Sequence, residues 1–135
     1  MSEYNGFGCT VLFAQNHGGT PGYWAPEIRA GGPISEAGDA YSYGATLYHL
    51  LTGRKPVDGQ RLDLLVRGLT GTPEIRETIA ACCQPNPGDR PNMREVLRLL
   101  AGATWAELQA ERKQRRATVL CAAGVFALIL LAVAE

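Results

Sequence analysis

The chain has 135 residues, enough for one modest domain, with 46% hydrophobic residues and 13 basic against 13 acidic side chains. A formal charge of zero supplies no global electrostatic footprint for a polyanion, so no nucleic-acid partner is expected. The four cysteines form no Cys-x-x-Cys pair and the two histidines lie far apart, which excludes a zinc site.

Met1-Ser-Glu-Tyr-Asn-Gly6 has no basic region and no long apolar run after it, so no cleavable signal is expected. Residues 1–18 read as an irregular segment. Cys9-Thr-Val-Leu-Phe-Ala14 fits a short strand within it, and Gly6, Gly8, Asn16 and Gly18 punctuate it. Gly19-Thr-Pro-Gly-Tyr-Trp-Ala-Pro-Glu27 is far more specific. Its prolines and glycines set a rigid path, Tyr23 and Trp24 supply aromatic anchors, and Pro26 suits the first turn of a short helix. A loop specified this densely points to docking or recognition.

A core helix is predicted from Asp39 to Gly53. Tyr43, Leu47, Leu50 and Leu51 fall on one side, and Tyr41 and Tyr48 widen it until only His49, Ser42 and the threonines relieve the apolar surface. Asp39 suits the electropositive first turn and Gly53 a left-handed cap. Arg61 to Arg67 is a short amphipathic piece. Thr72 to Cys83 reads as a helix capped by Thr72, with Pro73 in its first turn and Ile75, Ile79 and Cys82 or Cys83 inward. The adjacent Cys82 and Cys83 read as small buried residues near a helix end. Asn92 to Leu100 is a further helix, with Met93, Val96, Leu97 and Leu100 expected inward.

These stretches carry a family resemblance. Ala25-Pro26-Glu27, with Gly19-Thr20 ahead of it, resembles the end of the activation segment of a eukaryotic-type protein kinase, of the serine/threonine class. Asp39-Ala-Tyr-Ser-Tyr-Gly44 and Leu47-Tyr-His-Leu-Leu-Thr-Gly-Arg-Lys-Pro56 resemble the two ends of that family's central helix. Asn86-Pro-Gly-Asp-Arg-Pro91 resembles its Arg-Pro motif before the last helix of the C-terminal lobe. All four occur in the family's order between residues 19 and 100. The implied fold is mainly α, a partial kinase-like C-terminal lobe.

The resemblance also implies roles. Glu27 and Arg90 match residues that form a buried ion pair fastening the activation segment to the lobe. Asp39 matches a carboxylate that accepts hydrogen bonds from the catalytic loop. Thr20 matches a residue beside the catalytic aspartate, and Pro21, Gly22, Tyr23 and Trp24 match the edge of the substrate pocket, here read as a docking surface. The catalytic equipment is not found in these residues. There is no Gly-x-Gly-x-x-Gly loop with its lysine, no His-Arg-Asp loop and no Asp-Phe-Gly. Gly6-Phe7-Gly8 lies where Asp-Phe-Gly is expected but has no metal ligand. No catalytic, cofactor-binding or metal residue is assigned. ATP and magnesium enter only if another chain supplies the missing parts.

Residues 101–116 read as a basic juxtamembrane helix. Thr104 and Glu107 form a capping box, and Arg112, Lys113, Arg115 and Arg116 lie directly before an apolar run. Ala117 to Ala134 carries no charge and spans about 27 Å as a helix, against a hydrocarbon layer of about 30 Å. The expectation is a single transmembrane helix over 117–134. The kinase-like part would then be cytoplasmic at the cell membrane, in an order resembling bacterial receptor-type serine/threonine kinases. Expected partners are membrane lipid, an intact kinase, a protein substrate, or a second copy through the transmembrane helix. The main functional expectation is a truncated, membrane-anchored kinase-like protein unable to transfer phosphate alone. The alternatives are a non-enzymatic module that binds an intact kinase or its substrate, and one part of a split kinase completed by another chain.

Overall fold

The computed structural model describes Thr20 and residues 22–133, with side chains as far as Ala127. The expected strand at Cys9–Ala14 and the Gly6-Phe7-Gly8 match lie outside the described residues, as does Pro21.

Among the described residues the secondary structure is helical: α1 (Pro26–Arg29), α2 (Glu36–Thr52), α3 (Leu62–Leu65), α4 (Pro73–Cys82), α5 (Met93–Leu100) and α6 (Trp105–Val133). Single 3-10 turns at Val66–Gly68 and Pro87–Asp89 join them. This agrees with the mainly α part of the expected fold.

The helix ends have local causes. Ser35 caps α2 by accepting the Gly38 N–H at 3.1 Å, so the helix starts before Asp39. Gly53 ends it with φ 68°, where an L side chain is disfavoured. Pro73 occupies the first turn of α4, but the Thr72 hydroxyl makes no capping bond, contrary to expectation. Asn92 and Glu95 form a reciprocal capping box at the start of α5. Thr104 and Glu107 do the same before α6, with bonds of 2.9 and 3.3 Å.

Helix α4 is the packing centre, lying against α2, α3 and α5 and touching α6. The core joins Ala25, Tyr41, Ala45, Tyr48, Leu62, Val66, Ile79 and Cys83. A smaller cluster joins Ala81, Leu99 and Leu108, with Trp105 against it. The buried side of α2 agrees with the expected one in Tyr41 and Tyr48, with Leu47 and Leu51 partly buried against the core, and differs in its small residues and in Leu50. It consists of Gly38, Ala40, Tyr41, Gly44, Ala45 and Tyr48, whereas Leu50 is 76% exposed. Small residues win this face because the neighbours come close. A Cβ on Gly44 would lie 2.7 Å from Cys82 Cβ and 2.8 Å from Cys83 Sγ. A leucine would overpack such a seam. On α5, Val96 and Leu99 are buried, while Met93, Leu97 and Leu100, expected inward, are exposed.

Among the described residues no helix is long and apolar enough to cross a membrane. The first half of α6 carries Glu107, Glu111, Arg112, Lys113, Arg115 and Arg116, and it packs on the lobe. This corrects the expected transmembrane helix. The dependent expectations are corrected with it: a receptor-like kinase with a C-terminal span, a membrane-anchored function, lipid as a partner, a homodimer through that helix, and single-pass cell-membrane localisation.

Candidate functional site

Thr20 and residues 22–27 lead into α1, and Tyr23 meets α2 at Ser42 and His49. Several unrelated contacts hold this segment. Thr20 is exposed, and its carbonyl accepts from the Tyr23 N–H at 3.4 Å across a turn. Gly22 has φ 98°, and a Cβ there would lie 2.1 Å from the Pro56 carbonyl oxygen. Only glycine lets the backbone pass this close to the turn after α2. The Ser42 hydroxyl donates to the Tyr23 carbonyl at 2.8 Å. The Tyr23 hydroxyl and His49 Nδ1 are 2.6 Å apart, with the two rings tilted by 58°. Tyr23 is half-buried against the main core, Trp24 is half-buried, and Ala25 is fully buried. The loop is thus fastened at its backbone and at one aromatic side chain, leaving part of Trp24 and all of Thr20 to solvent.

Glu27 and Arg90 close the other end. Arg90 Nη1 donates to Glu27 Oε1 at 2.6 Å and Nη2 to Oε2 at 2.9 Å, a two-pronged pair. The remaining donors of Arg90 reach the carbonyls of Ala37 at 2.9 Å, Gln84 at 2.8 Å and Pro85 at 3.1 Å. Its side chain is 0% exposed and that of Glu27 is 25% exposed. The guanidinium also lies 5.1 Å from the centre of the Tyr41 ring. Every donor is therefore satisfied, which is what a buried cation requires. The hydrogen bonds from Arg90 hold the Glu27 carboxyl below its ordinary pKa, against an opposing effect of burial.

Asp39 stands apart from this arrangement. It is exposed on the first turn of α2. Among the described residues, no three His, Cys, Asp or Glu side chains gather in a way that suits a metal ion. Cys82 and Cys83 are buried in the core. Burial pushes the Cys82 thiol up to about 12 and raises Cys83 further, aided by its neighbour, so neither is a ready nucleophile.

Sequence reasoning missed His49, Ser42 and Tyr41 as parts of the site. A signal was present for two of them: Ser42 and His49 are polar interruptions on an otherwise apolar helix. Both turn towards Tyr23. Tyr41 reads as an ordinary core aromatic, and nothing in its neighbours marks it as the platform under Arg90.

No protein-family model matches the chain. It is similar to L-type lectin-domain containing receptor kinase S.1 of Arabidopsis thaliana, 32% identical over 137 residues, which covers 76% of this chain and 21% of that protein. It is 38% identical over 89 residues to serine/threonine-protein kinase PkaA of Streptomyces coelicolor, covering 59% of this chain and 16% of the relative. A Selaginella moellendorffii protein named as an inactive protein kinase is 34% identical over 115 residues, covering 66% of this chain and 20% of the relative. The chain spans about a fifth or less of the length of these curated relatives. The similarity to the C-terminal lobes of receptor-like serine/threonine kinases supports a kinase-like fold, in keeping with the helical architecture.

Proposed function

We propose that this chain acts as a non-enzymatic recognition module of kinase-lobe type, binding an intact protein kinase or a kinase's protein substrate through the segment Thr20–Glu27. The observation that carries this reading is the anchoring of that segment. Gly22 packs on Pro56, Ser42 holds the Tyr23 carbonyl, His49 meets the Tyr23 hydroxyl and Arg90 grips Glu27. A loop immobilised before a partner arrives loses little conformational entropy on binding. Trp24 beside it is the aromatic type that tends to carry interface energy. Similarity to a protein named as an inactive kinase supports a role that does not require phosphate transfer.

The experiment is a titration of the labelled full chain with purified serine/threonine kinase domains and with their protein substrates. Saturable binding that Trp24→Ala weakens about tenfold or more supports the reading, a loss within the range of an aromatic hot spot. Binding that is absent throughout, or indifferent to Trp24→Ala, overturns it. A parallel assay follows phosphate transfer from labelled ATP. Transfer by the chain alone contradicts the non-enzymatic reading. Transfer that needs a second chain bearing ATP-binding elements supports a split kinase instead.

A further inference from the structure

Arg98 and Arg112 both join α5 to α6, but in different ways. Arg98 meets Glu111 through two bonds of 2.6 and 2.8 Å at the exposed surface. Arg112 is mostly buried. It pairs with Glu95 through both Nε and Nη2, and its guanidinium lies 4.9 Å from the centre of the Trp105 ring. The same Nη2 also donates to the carbonyl of Arg90 at 3.0 Å. Residue 90 is thus held from two directions. Its side chain reaches forward to Glu27, and its carbonyl is fixed from behind by α6.

We infer that Arg112 is a positioning residue for the Thr20–Glu27 segment, acting through the backbone of Arg90. The turn at Pro87–Asp89 and the residues up to Asn92 form no long helix of their own, so their place depends on what they touch. Asn92 is tied to Glu95, Glu95 to Arg112, and Arg112 back to Arg90. This closed circuit sets the height and angle at which the Arg90 guanidinium meets Glu27. Trp105 and Leu108 hold the first turns of α6 against the lobe, and the Trp105 N–H donates to Glu77 of α4 at 2.7 Å. The seating of α6 is thereby conveyed to the recognition loop through one guanidinium. Arginine is required for this task, because a lysine ammonium cannot present a planar fork to a carboxylate and a carbonyl together. The functional consequence rests on the recognition reading above, whereas the coupling itself does not.

The test is amide hydrogen exchange on the full chain, read at the N–H groups of Ile28, Arg29 and Gly32, which bond within and just after α1. Arg112→Ala and Arg112→Lys are expected to speed exchange there about tenfold, as local opening becomes easier. Arg98→Ala removes the more exposed α5–α6 pair, which does not touch Arg90, and it should leave those amides unchanged. Two outcomes overturn the inference: unchanged exchange at those amides in Arg112→Lys, or equal acceleration by Arg98→Ala. If Arg112→Ala fails to fold, Arg112→Lys alone decides the matter. Accelerated exchange in a chain that binds neither kinase nor substrate keeps the coupling and refutes the recognition reading instead.

Discussion

The pair Glu27–Arg90 allows a quantitative test by a double-mutant cycle of Glu27→Gln and Arg90→Met. Glu27→Gln leaves a guanidinium with 0% side-chain exposure facing three carbonyls and a neutral amide. Removing half of a buried pair costs roughly 3–5 kcal/mol, and the three carbonyls place this case near the lower end, about 3 kcal/mol. Arg90→Met fills the stem's volume but strips partners from the carbonyls of Ala37, Gln84 and Pro85 at about 1 kcal/mol each. Glu27, with its side chain a quarter exposed, recovers some water, so the total is about 4 kcal/mol. The double variant should cost about 2 kcal/mol less than the sum, because neither partner is then left facing a missing one. Urea unfolding followed by tryptophan fluorescence or circular dichroism measures all four corners. Additivity within about 0.5 kcal/mol would refute the reasoning.

The same pair predicts a pH dependence. The Glu27 carboxyl is held low in the folded chain, so its stabilisation is complete above the unfolded carboxylate value of about 4.3. It is lost as pH falls through the lower folded value, and acid unfolding of Glu27→Gln should lack this component. Gly22→Ala combines φ 98° with a 2.1 Å contact to a backbone oxygen. It should cost at least about 2 kcal/mol in urea unfolding, and an unchanged midpoint would show that the loop does not sit on Pro56. Alkylation at pH 8 followed by mass spectrometry should modify exposed Cys121 while sparing Cys82 and Cys83 in the native chain, and rapid labelling of Cys82 would contradict its buried, protonated state. Leu50→Lys should change stability by less than about 0.5 kcal/mol, whereas Tyr48→Ala should cost roughly 3–5 kcal/mol. Comparable losses at the two sites would return Leu50 to the buried side that periodicity suggests.

How legible each feature was follows from the range of the interaction behind it. Glu27 and Arg90 are 63 residues apart. Two charges at that distance carry no local signal, and only the resemblance of the flanking motifs singles them out. Arg112 was legible as part of a basic cluster beside an apolar run. That context suggested a flank of a membrane helix, whereas the folded chain uses it as a bridge to Glu95 and Arg90. Gly44 and Ala45 on the buried side of α2 were missed, and Leu50 was placed there, for a related reason. Hydrophobic periodicity ranks leucine above glycine and alanine, but a closely approaching neighbour selects for small side chains.

Several helix ends have purely local causes, although the start of α2 at Ser35 lies ahead of the expected Asp39. Gly53, Pro73, the Asn92–Glu95 box and the Thr104–Glu107 box act within one turn of backbone, so no distant residue is needed to read them. The tertiary structure alone decided which helix faces meet and what each charge faces. The width of the α2–α4 seam put Gly44, rather than Leu50, against Cys82 and Cys83. The seating of α6 on the lobe turned one arginine of a basic run towards the backbone of another. Those outcomes depend on the shapes of surfaces that exist only once the chain has packed.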